Sequence, residues 1–182
     1  EGVPPRAAPA EAPGTVFTDH HRALSLQRGR RQASKQAGLH GRTAMCRGQV
    51  MRDGQHSCDF TIVKGRKIVV GVCQAGYNPA AGPPPTHSPA GWGFHALGGD
   101  LCHALVAGER AWPKWAGQSG VAPGDKLGLR LDLTRGSLDV YKNDQRLGTM
   151  VRRELLGQEL CWMVEIENPG DAVVIGAAPG GG

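Results

Sequence analysis

Aromatic side chains are scarce in this 182-residue sequence, at 5% of positions. No apolar run approaches the roughly 18 residues that a membrane span requires. No basic-then-apolar leader opens the chain, so neither membrane anchoring nor a retained secretory signal is expected. No Cys-x-x-Cys pair occurs, and the five cysteines, Cys46, Cys58, Cys73, Cys102 and Cys161, are odd in number. Zinc sites need closely paired thiolates and disulfide scaffolds need an even count. Free, mostly buried thiols in a reducing cytoplasm or nucleus are therefore expected. The catalytic signatures are also missing: there is no G-x-S-x-G, no H-E-x-x-H and no Gly-rich phosphate cradle. Cys102 and His103 are adjacent, which in a strand points them to opposite faces and spoils them as nucleophile and base. Asp125 and Asp132 lack the D-x-D-x-D-G loop that calcium takes. The expectation is no catalytic residue, no metal site, no cofactor and no enzyme activity.

What is present favours a single domain. A chain of this length hides roughly 70% of its unfolded surface, so its core needs neither disulfide nor metal. The 28 Gly and 13 Pro favour a turn-rich, all-β chain over a helix bundle. The formal charge of +5 is unevenly spread. Residues 1–42 hold seven basic side chains against Glu1, Glu11 and Asp19, whereas residues 43–182 hold fourteen against thirteen. Arg28, Arg30, Arg31 and Lys35 form a basic cluster of the kind that phosphates or an acidic partner would require. No aromatic interleaves with them to stack on bases, so a solvated basic loop is the plainer expectation. The chain opens on Glu and closes on three Gly, as a segment of a longer or multidomain chain would.

Residues 1–15, EGVPPRAAPAEAPGT, read as a flexible Pro/Ala/Gly-rich linker. Residues 16–41 read as a mobile basic extension with short β elements, carrying His20 and His21, and residues 179–182 as a Gly-rich tail. From Cys46 onward the period is mainly two. Cys58, Phe60 and Ile62 alternate on one face, and Lys67 to Cys73 is a β-branched run suited to a buried strand. Residues 76–90, GYNPAAGPPPTHSPA, hold five prolines and form a long loop. Leu127, Leu129, Leu131 and Leu133 alternate with polar partners, and Leu138 and Val140 resume the pattern after a Thr134-Arg135-Gly136 turn. Lys142-Asn143-Asp144-Gln145 turns again, since Asn and Asp tolerate the positive φ of tight hairpins. The result is an antiparallel meander of the kind that builds a two-sheet β-sandwich.

These motifs stand in an order that resembles the SPRY family of concanavalin-like, jelly-roll β-sandwiches. The resemblance rests on Gly54-Gln55-His56 before the Cys58–Val63 strand, Val70-Gly71-Val72, and Gly91-Trp92-Gly93-Phe94 after the variable loop. It continues through Gly124-Asp125, Leu131-Asp132-Leu133, Gly136-Ser137-Leu138, Tyr141-Lys142-Asn143 and Leu147-Gly148, and covers residues 42–178. Joint order and spacing make it specific. The chain departs from the family at Asp144, where Gly is usual, and at Trp162, where Pro is common. It also lacks the Val-Trp-Gly that lines a peptide pocket in some members, so peptide specificity does not carry over.

The resemblance implies a non-catalytic adaptor that binds a partner peptide or protein surface through loops gathered at one end of the sandwich. Tyr77, Asn78, His87 and Ser88 around the proline-rich loop, with Glu167 and Asn168 on a late turn, are the candidate contacts. Trp112 and Trp115 are a second candidate patch, although packing across the sandwich suits them better. Trp92, between two glycines, reads as a core indole. A lectin-like glycan-binding module is the alternative. Nucleic-acid or acidic-partner binding by the basic arm is a further one. The expected state is a monomer or part of a larger complex, away from membranes.

Overall fold

The computed structural model describes residues 14–104 and 114–176. The expectations for residues 1–13, for Trp112 and for the tail at 179–182 lie outside the described residues. Thirteen strands follow in chain order among those described: β1 (Asp19–His20), β2 (Leu24–Gln27), β3 (Gln32–Lys35), β4 (Arg42–Met45), β5 (Gln55–Lys64), β6 (Ile68–Gln74), β7 (Gly91–His95), β8 (Leu101–His103), β9 (Lys126–Asp132), β10 (Ser137–Lys142), β11 (Gln145–Val151), β12 (Leu160–Ile166) and β13 (Ala172–Gly176). They pair antiparallel into two sheets. One is ordered β1-β4-β12-β6-β7-β8 and the other β11-β10-β9-β5-β13-β3-β2. The chain is the all-β two-sheet sandwich expected. No helix among the described residues is long and apolar enough to cross a membrane.

The sandwich interior follows from strand alternation. Leu127, Leu129 and Leu131 of β9, with Leu138 and Val140 of β10, face Ile68, Val70, Val72 and Trp162 of the other sheet. Trp162 packs edge-on to Phe60 with ring centroids 6.4 Å apart. Two central strands are apolar on both faces, because the six-stranded sheet carries a second cluster outside the interior. Met45, Val69, Cys73, Cys102, Cys161 and Met163 form it, with Tyr77 packed against them. All five cysteines are free and buried, and burial pushes their thiols up, that of Cys161 to about 11. Cys102 joins the outer cluster while His103 stacks on Trp92 at 4.6 Å, so the two do point to opposite faces.

The β10–β11 turn holds Asn143 and Asp144 at φ of 48° and 68°, the left-handed pair whose twist suits a two-residue hairpin. The carboxylate of Asp144 lies 2.7 Å from Lys126 Nζ, which gives the departure from Gly a purpose. Asp144→Gly relieves the backbone but loses the exposed pair and adds unfolded-chain entropy, so the urea-unfolding midpoint should stay close to the parent's.

The start of the sandwich needs correction. Residues 16–41, expected as a mobile basic extension with short β elements, carry three short strands, but these are laid into both sheets rather than left in a mobile arm. β1 pairs with β4, and the β2–β3 hairpin extends the other sheet beyond β13. Phe17 is fully buried in the interior. No period is visible here because β3 buries Gln32, Ser34 and Lys35 alongside Ala33. The basic cluster is correspondingly reduced. Arg30 donates from Nε and Nη2 to the carbonyls of Phe17 and Thr18 at 2.9 and 2.8 Å. Lys35, 2% exposed, donates from Nζ to the carbonyls of His40 and Glu167. His20 belongs to β1 and His21 follows it directly.

Candidate functional site

The outer face of the six-stranded sheet is built in rows. Cross-strand pairing places Thr43, Glu165, Val69 and His95 in one row, and Met45, Met163, Gly71, Gly93 and Cys102 in the next. Glycines leave a shallow lane on that face, and the proline-rich loop lies down in it. Its single 3-10 turn, Pro85–His87, sits directly over β7. A Cβ on Gly91 would stand 2.8 Å from the Pro85 carbonyl carbon and 2.9 Å from the Thr86 nitrogen. Only the bare backbone of glycine permits so close an approach.

The turn is fastened by a buried carboxylate. Thr86 donates its backbone N–H to Glu165 Oε1 at 3.1 Å and its hydroxyl to Oε2 at 2.9 Å. Glu165 is 5% exposed. Burial raises its carboxyl to about 7, against the pull of the two Thr86 hydrogen bonds. Tyr77 donates its hydroxyl to the Pro83 carbonyl, and Arg47 ties the loop's start by donating to the carbonyls of Ala75 and Tyr77. Arg47 also pairs with Asp19 at 2.8 Å. The loop is thus anchored at its start, its middle and its end.

A cleft of about 470 Å3 opens beside the anchored turn. Pro83, Pro84 and His87 form one wall, and Leu39 to Arg42 the other, over a floor of Val69, His95, Cys102 and Glu165. Leu39 is 86% exposed at the rim. Lys67 pairs with Glu167 at 3.2 Å, and burial holds the His95 imidazole below its ordinary pKa although Asp100 pulls the other way. Arg42 differs from Lys67. It donates to the neighbouring Gly41 carbonyl at 3.3 Å, and among the described residues no carboxylate lies within ion-pair distance of it. The cleft therefore offers an apolar lip and, among the described residues, a cation without a counter-ion.

Of the residues expected from sequence, His87 and Glu167 line this cleft together. Tyr77 lies under the loop, and burial pushes its phenol up to about 12. Asn78 accepts the Ala80 N–H at 3.0 Å, and Ser88 donates to the Pro85 carbonyl at 3.0 Å while accepting the Ala90 N–H at 3.2 Å. Asn168 is exposed on the turn before β13, outside the cleft. Trp115 donates Nε1–H to the Gly99 carbonyl at 2.7 Å and packs edge-on to Phe94 at 6.3 Å. Trp115→Ala should therefore cost about 2 kcal/mol in urea unfolding. Asp125 and Asp132 fasten turns, Asp125 by accepting from Ala122 N–H and Asn143 Nδ2, Asp132 from Arg135 N–H.

Sequence reasoning passes over Glu165, Thr86, Arg42 and Leu39. Glu165 does leave a signal, since it is the one carboxylate inside the otherwise apolar run LCWMVEI. A charge buried there needs partners.

No family model matches the chain, and no curated protein matches it. Solved structures do. The SPRY domain of human HERC1 superposes with a TM-score of 0.69 at 19% identity, over 88% of this chain and 96% of that one. The PSpry domain of TRIM65 gives 0.67 at 20% identity, over 88% and 87%. A human SPRY domain gives 0.60 at 17% identity, over 87% and 98%. The fold expected from the ordered motifs is the fold observed.

Proposed function

From the SPRY-domain fold of the chain, we propose that it is a non-catalytic protein-interaction module whose cleft beside the Pro85–His87 turn receives an extended segment of a partner. The observation that carries this reading is the anchoring of the cleft's walls before any partner arrives. Prolines and the Thr86–Glu165 bonds hold one wall. Buried Lys35 ties the His40 wall to the Glu167 turn. Walls already ordered lose little conformational entropy on binding, so modest contacts yield useful affinity. Leu39 and the exposed Pro83 supply apolar contact, and Arg42 attracts a carboxylate or main-chain carbonyl of the partner. Likeness to SPRY domains supports an interaction role in general.

Peptide-display selection on the folded chain tests it, repeated on Leu39→Ser and Arg42→Ala. Both positions are at the cleft's edge, so both variants should keep the parent's melting temperature. The expected outcome is a consensus peptide that neither variant enriches. A consensus enriched equally by parent and variants would move the site elsewhere.

A further inference from the structure

The opposite layer of the sandwich carries a second concavity. A groove of about 680 Å3 crosses the outer face of the β5, β9, β10 and β11 strands. Ser57, Arg130, Asp139 and Thr149 are cross-strand neighbours in one row, and Gly128, Tyr141 and Arg146 in the next. Arg135, on the β9–β10 turn, and Arg152, just past β11, also line it.

The acids of this groove are already satisfied. Asp139 accepts from Arg146 Nε at 3.1 Å and from the Thr149 hydroxyl at 2.6 Å. Asp132 accepts from Gln55 Nε2 and from the Arg135 N–H, both at 3.0 Å. The cations keep donors to spare: a guanidinium carries five N–H groups, and Arg146 commits its Nε and Nη2 to Asp139 and Thr149. Arg130 lies over the Tyr141 ring, 5.3 Å from its centroid, with Asp59 3.9 Å away. Arg135 is 82% exposed at 3.9 Å from Asp132. Arg152 gives its backbone N–H to Glu154, and among the described residues no carboxylate lies within ion-pair distance of its guanidinium. Four arginines against Asp132 and Asp139 leave the groove with excess positive charge and spare donors for an added anion.

Spacing selects the anion. β9 and β11 stand two strand intervals, about 10 Å, apart, and Arg146 and Arg152 lie about 20 Å apart along β11. Arginines rooted so far apart line a track across the sheet rather than ring one point. They match separate carboxylates along an extended chain, each able to take the planar fork in two parallel hydrogen bonds. Arg130 already covers a face of Tyr141, which removes the platform a nucleobase would stack on.

We propose that this groove docks an acidic segment of a partner protein, extended across the sheet with Asp or Glu at separated positions. It is a second surface, independent of the cleft on the other layer. The test is fluorescence anisotropy of a labelled oligoglutamate peptide titrated with the full chain, at low and at near-physiological ionic strength. Saturable binding that weakens with salt is expected. The double variant Arg135→Gln/Arg152→Gln should bind about tenfold more weakly, since two exposed charge pairs are lost. Arg28→Gln, on the hairpin at the far edge of the same sheet, and Leu39→Ser, in the cleft, should bind as the parent does. Absence of saturable binding, or an equal loss in Arg28→Gln, would overturn the proposal. Tighter binding of an oligothymidylate of equal length would overturn it in favour of nucleic acid.

Discussion

Glu165→Gln should raise the melting temperature at pH 8 and leave it nearly unchanged at pH 4.5. The carboxyl of Glu165 is raised from 4.5 to about 7 by burial. A group whose pKa is raised by folding gives the native state stability that is complete below 4.5. That stability disappears as pH climbs through about 7, because the buried side chain must then carry a charge. Every tenfold difference in proton affinity between folded and unfolded chain is worth about 1.4 kcal/mol, so the parent should lose about 3 kcal/mol across this window. For a domain of this size that is on the order of 10 °C in melting temperature. Glutamine stays neutral throughout. Its carbonyl still accepts the Thr86 N–H, and the Thr86 hydroxyl can rotate to accept from the amide. His21 and His95, whose pKa values burial lowers, add the opposite slope to both proteins and cancel in the comparison. Thermal melts of parent and variant between pH 4.5 and 8 check this. Parallel profiles would mean that Glu165 is not the titrating group.

Gly91→Ala should undo the cleft wall. The new methyl would stand 2.8 Å from one Pro85 atom and 2.9 Å from another and from the Thr86 nitrogen, mostly backbone that cannot rotate away. The turn must lift from β7, and the Thr86–Glu165 bonds lengthen with it. Overpacking of this kind costs about 2 kcal/mol. The larger effect is on binding, since Pro83, Pro84 and His87 ride on the same turn. Gly82→Ala, in the same loop with open space around its Cα, should change neither stability nor binding. Urea unfolding and peptide titration of the two variants give the comparison. Equal behaviour of the two would show that the turn is not a fixed wall.

The parts of this fold legible in the sequence are those where solvent and core alternate. β9 wets one face and buries the other, so alternation alone assigns Leu127, Leu129 and Leu131 to the core. β6 and β12 read as continuous apolar runs, and the reason is the outer cluster beneath the proline-rich loop. β3 is illegible because Gln32, Ser34 and Lys35 are polar yet buried. Lys35 is satisfied by a carbonyl 132 residues away, a pairing that no local pattern records. The same holds for the cleft. His87 and Glu167 read as loop residues, but the bond that lays the loop on the sheet joins Thr86 to Glu165 across 79 residues. Arg42 and Leu39 come from a segment whose sequence reads as the domain's edge, and only the β4–β12 register brings them opposite the turn.

Backbone-amide chemical-shift mapping, with the display-selected peptide titrated into the folded chain, tests the cleft most directly. Shifts concentrated at residues 39–42, 67, 86, 87 and 167, the wall prolines having no amide proton, and absent from the Arg130–Arg152 groove, are the expected result. Shifts confined to other loops or to the opposite sheet, with the cleft residues unmoved, would contradict it.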